Sequence, residues 1–541
     1  SMSKCEIRLH RAALVFFRRA AVAAAIMAML RDRCLARTAP CTTLGRAAVA
    51  TFAAARAFLP DTTAVTLPSL PPWGPERPQM RGSPFGDPRA EKRLLGKRIL
   101  RALTAACVLQ LVEQHGADFD HIHAVLCLWQ IGTRLRGSFT PRVAHSAAFR
   151  SLARTVASFA SMAHMDCRGL SNAMLAAAYL RQAGDTLEVV METCAAAMAA
   201  STNKATARDL ANAVWAFAKV KGRGGQQRPK RGAATATKVE SDSVFFRAIA
   251  KSTRRKLHTF TPQGLSNVAW AFAKVGHSDV ELLRALADEA TRRLDTFGSQ
   301  ELANLAWAYA SLETLVSTSG VAAPSRAREL LQAIIAEAQA SRVYFKPQEF
   351  ACIVWASGSL RGPGGSDFFA HAADICRTDM TQFKPQELAN IAWSFGQTDR
   401  VWHKDIAHDA TMEVFSRPAE TLPHKAVADL AWACAKLLVT DSFAYRLISV
   451  AALRRLRDFA GADLARLIWA VEVANHAEFG PSFLMALQLE MRSRSPSAPR
   501  GPKGVLNASG ASITVGSFRA VPPPEPPGAL DGMSSVATPR Q

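Results

Sequence analysis

Residues 385–396 read PQELANIAWSFG, and the same pattern returns along the chain. In order, the related stretches are LSNAMLAAAY (170–179), LANAVWAFAKV (210–220), LSNVAWAFAKV (265–275), LANLAWAYASL (302–312), FACIVWASGSL (350–360), LANIAWSFGQT (388–398), VADLAWACAKL (427–437) and LARLIWAVEVA (464–474). Trp stands at 215, 270, 307, 355, 393, 432 and 469. The intervals of 55, 37, 48, 38, 39 and 37 residues give an underlying period of 37–39, with insertions in the two long ones. Trp129 is the candidate for an earlier, degenerate copy.

Each copy reads as the second helix of a pair. First helices are seen in VELLRALADEATRRLDTF (280–297), RELLQAIIAEAQASRVYF (328–345) and FAYRLISVAALRRLRDF (443–459). The second helices often open on a proline, at Pro262, Pro347, Pro385 and Pro423, where a missing N–H costs nothing. Alternating β-branched runs are absent, so no strand is predicted. A hairpin of this size cannot bury its apolar faces alone, whereas a stack can. The expected fold is all-α: an α-solenoid of about eight or nine helical hairpins over residues 93–494.

At 100° per residue, Leu265, Val268, Phe272 and Val275 share one face of their helix, and Trp270 lies opposite among small residues. A helix apolar on two sides is buried on two sides. Between them runs a narrow polar edge, three before and four after each Trp: Asn212/Lys219, Asn267/Lys274, Asn304/Ser311, Cys352/Ser359, Asn390/Gln397, Asp429/Lys436 and Arg466/Val473. The Asn positions either satisfy backbone groups nearby or meet a ligand; the more variable Lys, Ser and Gln positions are the stronger contact candidates. A second recurrence closes the first helices: Arg254-Arg255, Arg292-Arg293, Arg342, Arg377 and Arg454-Arg455. These form either a basic stripe or solvated complements to the helix dipole.

Lys plus Arg number 66 against 44 Asp plus Glu, a net +22, yet the charge is local. Residues 1–60 carry +8, residues 218–240 carry +6 and residues 492–541 carry +4, whereas 241–491 sum to −1. The first sixty residues are Arg-rich and almost free of acid, as in an organellar transit sequence. The apolar stretch Ala20–Leu30 also suits a secretory segment ahead of such a sequence, and the choice between chloroplast and mitochondrion stays open. Residues 61–92 are Pro-rich and read as a linker, 221–240 as a basic loop insertion, and 495–541 as a disordered Pro/Ser/Gly tail. No apolar run is long enough to span a bilayer, so no stable membrane insertion is expected.

The 37–39-residue hairpin with PQELANIAWSFG-type second helices resembles the octotricopeptide-repeat proteins of organelles, over about residues 160–480. The match is best at Pro262–Gly276, Pro347–Gly358 and Pro385–Gly396. A more distant likeness is to FAST kinase-like proteins, without a counterpart of their RAP domain. The resemblance implies a non-enzymatic binder of single-stranded organellar RNA acting in stabilisation, processing or translation. Armadillo-type arrays also carry Trp on an Ala-rich helix, but their peptide-binding Asn four after the Trp is here Lys, Ser, Gln or Val.

On this reading Asn212, Asn267, Asn304 and Asn390 or their neighbours would meet base edges. Lys219, Lys274, Gln397 and Lys436, with Arg254, Arg255, Arg292, Arg293, Arg454 and Arg455, complete the candidate RNA contacts. A protein-interaction scaffold, within an organellar ribosome or beside RNA-processing proteins, is the competing expectation. Chemistry is sparse. His121 and His123 point about 200° apart on a helix and would not share a metal. Gly96-Lys97-Arg98 lacks the upstream glycine of a phosphate loop, and the scattered Cys read as core thiols. No cofactor, metal or catalytic residue is expected.

Overall fold

The computed structural model describes residues 88–494 apart from 136–140, 181–183, 223–232, 320–325, 341–344, 419–420, 475–478 and 480. Among these residues every regular element is helical. An opening helix, α1 (Pro88–Arg101), precedes a first hairpin of α2 (Ala105–His115) and α3 (His121–Arg134). After the single turn α4 (Pro141–Ala144), hairpins follow as α5 (Ala147–Ser161) with α6 (Cys167–Tyr179), α7 (Asp185–Ser201) with α8 (Ala207–Lys221), and α9 (Ala233–Lys256) with α10 (Pro262–Val275). Next come α11 (Val280–Thr291) with α12 (Ser299–Ser319), α13 (Ala327–Ala340) with α14 (Pro347–Ser359), and α15 (Gly365–Thr378) with α16 (Pro385–Gln397). The last two pairs are α17 (Lys404–Phe415) with α18 (His424–Lys436) and α19 (Ser442–Arg454) with α20 (Gly461–Val473), closed by α21 (Pro481–Ser493). The expected α-solenoid is therefore present, with nine hairpins among the described residues.

Local chemistry sets the ends of the second helices. Pro262, Pro347 and Pro385 occupy the first helical turn, while Pro423 sits one step earlier, at the N-cap of α18. Glu349 and Glu387 accept the N–H of Lys346 at 3.0 Å and of Lys384 at 2.8 Å, holding donors that the helix leaves open. At the other end the chain reverses through a left-handed residue: Gly276, Arg361, Asp399 or Leu438. The following N–H then reaches back to the carbonyl of Phe272, Ser357, Phe395 or Cys434 at 2.8–3.2 Å. This turn aims each second helix into the next first helix.

Consecutive second helices pack closely along their length, whereas consecutive first helices touch more sparsely. Leu265, Val268 and Phe272 are fully buried, and so is Trp270 on the opposite side. The Trp rings meet one another between units: Trp215–Trp270 and Trp270–Trp307 at 6.2 Å, Trp355–Trp393 at 6.4 Å, Trp393–Trp432 at 6.0 Å and Trp432–Trp469 at 5.7 Å. Tyr179 links Trp129 (5.7 Å) to Trp215 (6.5 Å), which places α3 in the series as its first, degenerate member. Small residues three past the Trp, Gly or Ala in every unit but the last, make the room. A Cβ on Gly396 would lie 2.8 Å from the Trp432 ring, and one on Gly358 2.6 Å from the Ser394 Cβ.

Several boundaries differ from those read in the sequence. The helical body starts at Pro88 rather than 93, because a polar first turn at Arg89–Lys92 carries no apolar periodicity. The basic insertion is shorter than 221–240, since α8 runs to Lys221 and α9 begins at Ala233. The targeting segment 1–60, the tail 495–541 and Arg342 lie outside the described residues. Among the described residues no helix is long and apolar enough to cross a membrane. Burial pushes the thiols of Cys127, Cys194, Cys352, Cys376 and Cys434 up to about 12, as core thiols require.

Candidate nucleic-acid interface

The Trp side of the second helices is the surface along which the units present equivalent side chains. Its central column, three before each Trp, is internal rather than a surface row. Asn212, Asn267, Asn304 and Asn390 are between 1% and 5% exposed. A helical projection gives their direction correctly, but the neighbouring second helix lies in that direction and covers them. In the last units this column is a closed polar chain. Gln386 Nε2 donates to Asn390 Oδ1 at 3.0 Å and to Asp429 Oδ2 at 3.2 Å. Asp429 is in turn paired with Lys425 and, at 3.1 Å, with Arg466, which also holds Asp463 at 2.6 Å. Burial raises the Asp463 carboxyl above its usual range, partly offset by Arg466. In the middle units Asn267 Oδ1 and Asn304 Oδ1 are buried without a hydrogen-bond partner.

The column four past each Trp reaches the surface at its Lys and Gln members, whereas Ser311 is buried. Lys219, Lys274, Gln397 and Lys436 are half-buried, and each Lys crosses to a neighbouring unit. The Lys219 ammonium lies 5.8 Å and 5.7 Å from the Trp215 and Trp270 ring centres, capping two rungs at once. Lys274 lies along the turn at Gly222, and Lys436 pairs with Asp399 at 2.6 Å. A further column, seven before the Trp of six units, escaped the sequence reading: Arg208, Gln263, Gln300, Gln348, Gln386 and Lys425, with Ala462 in the seventh. Of these only Gln386 is buried. The signal was available, because Gln follows or replaces the helix-opening Pro in unit after unit. Two polar columns thus flank the buried aromatic one at fixed offsets through the units of Trp215 to Trp432, and end at the last unit, where Ala462 and Val473 take their places.

The arginines closing the first helices divide in two. Arg293 Nη2 donates to the Phe260 carbonyl at 2.7 Å, and Arg455 Nη1 to the Leu422 carbonyl at 3.1 Å. Lys256, Arg417 and Arg494 make the same reach to the carbonyls of Ala205, Phe383 and Phe459. In all five, the acceptor lies two residues before a second helix of the preceding unit. These cations are inter-unit staples, committed to the backbone and not to a ligand. Of their neighbours, Arg254 pairs with Glu281, Arg292 with Glu289, and Arg377 with Asp374 and Asp405. Arg255 and Arg454 are exposed. Of the two alternatives read from the sequence, a continuous basic stripe is not seen among the described residues, since most of these arginines are engaged within the array. Replacing Arg455 with Met should lower stability by about 1.5–3 kcal/mol, the worth of a charged hydrogen bond. Arg454→Met should change nothing measurable, and equal urea midpoints for the two variants would refute the staple.

No group of three metal-ligating side chains occurs among the described residues. No protein-family model matches the chain, and no curated protein matches it.

Proposed function

We propose that this array is a non-enzymatic binder of single-stranded RNA, acting in organellar gene expression at the level of transcript stability, processing or translation. The observation that carries the reading is the pair of polar columns that recur beside the Trp ladder through the units of Trp215 to Trp432. Helical-repeat RNA readers use two or three side chains per unit for one base. Here the amide column at Gln263, Gln300 and Gln348 offers donors and acceptors suited to base edges, and Lys219, Lys274 and Lys436 offer charge suited to phosphates. Eight or nine units would cover roughly eight nucleotides. The buried Asn column then acts beneath the interface, fixing the helices that present it.

Titrating the full chain with short single-stranded RNA at rising salt tests this. Log affinity should fall linearly with log salt, and each Lys→Ala change at 219, 274 or 436 should reduce the slope by about 0.7. Binding that ignores salt, or none at all, would overturn the reading. The charge of −1 over residues 241–491 favours a second possibility, a protein-interaction scaffold. Crosslinking separates them, since a reproducible short RNA footprint supports the first and recovery of protein neighbours alone supports the second. A reporter carrying residues 1–60 reads out the organelle.

A further inference from the structure

Of the ten Trp residues, Trp73 and Trp402 stand outside the repeat, and Trp402 is the one among the described residues. Trp402 lies nine residues past Trp393, in the short turn between α16 and α17, and is 68% exposed. It is the only exposed Trp among the described residues; the ladder Trp are buried or half-buried. An indole in water gains nothing for the fold, and a repeat of this kind does not need one at that place.

Its surroundings are cationic. The Arg400 guanidinium is held 4.6 Å from the Phe369 ring centre and 5.9 Å from that of Trp402, so one side chain ties the exposed ring to the core. The turn at Arg361–Gly362 lies against Arg400: a Cβ on Gly362 would be 3.8 Å from its Nη2. Arg361 and Lys404 are exposed. The nearby acids are engaged, Asp399 with Lys436 at 2.6 Å and Asp405 with Arg377. That first pair also joins the Trp402 turn to the lysine column, three residues from the ring.

We infer that Trp402 is a stacking platform for an unpaired base of single-stranded RNA, placed where the strand leaves the lysine column. The inference rests on the function proposed above and adds a contact outside the repeat register. An exposed π face among cations suits a base and its phosphates, because stacking tolerates any base while the charges hold the backbone. An acidic peptide would use the charges and leave the ring idle.

The test measures binding of the full chain to a short mixed-sequence single-stranded RNA. Trp402→Ala should weaken binding about 5- to 150-fold, the range found for loss of one base–aromatic stack. Its salt slope should match the unaltered protein, since no charge is lost. Trp402→Phe should keep most of the affinity, and Arg361→Ala with Lys404→Ala should lower the slope. Equal affinity of Trp402→Ala and the unaltered protein overturns the platform while leaving the proposed function standing. So does a Phe variant as weak as Ala, or a loss seen only for a protein partner. If the unaltered protein binds no RNA, both readings fall.

Discussion

Trp270→Ala should lower the stability of the array by about 3–5 kcal/mol, the usual result of truncating a buried aromatic. The ring is 2% exposed and touches Trp215, Trp307 and the Lys219 ammonium, so its loss opens a cavity at two junctions together. In a stacked array each unit is held by its neighbours, and the total is close to a sum of unit and junction contributions. Weakening two adjacent junctions should therefore also split a single unfolding transition, the parts before and after α10 melting apart. Calorimetry reads both effects. A single transition at the original temperature would show that the ladder is ornamental to stability.

Gly358→Val should be at least as damaging, by about 3 kcal/mol or more, through crowding rather than loss. The nearest atoms to a Cβ there are the Ser394 Cβ at 2.6 Å and Cα at 2.7 Å, so backbone of α16 must move away from α14. No rotamer change relieves a contact with a Cα. The contrasting position is Gly461, at the start of α20, where a Cβ meets nothing within 4 Å. Gly461→Ala should raise stability by about 0.4–1 kcal/mol by reducing the freedom of the unfolded chain. Urea midpoints moving in opposite directions for the two glycines would establish that α14 and α16 touch at backbone distance. Movement in the same direction would count against it.

The repeat was legible because Leu, Asn and Trp recur at fixed offsets, and periodicity carries burial directly. Leu265, Val268, Phe272 and Trp270 all lie where their azimuths put them. What azimuth cannot tell is the neighbour. Asn267 and Asn304 point along the polar edge, yet an adjacent helix covers that edge, and its distance is a tertiary fact. The paired arginines show a similar limit. Arg292 and Arg293 are alike in sequence, but Arg292 meets the Asp288 carbonyl of its own helix, whereas Arg293 meets one 33 residues earlier in the chain. Trp402 was visible as an out-of-register Trp, and its exposure became meaningful only beside Arg400 and Arg361.

The staples have a consequence for how the chain is made. Each one runs backward, from the end of a first helix to the carbonyl ahead of the preceding second helix. As synthesis proceeds from the N-terminus, a hairpin that has already left the ribosome still lacks its lock until the following first helix emerges. Completion therefore trails elongation by about one unit throughout. It also gives α21 a purpose: Arg494, just past its end, reaches Phe459 and seals the ninth hairpin. A nascent chain halted after Val473 would hold nine hairpins with the last one open.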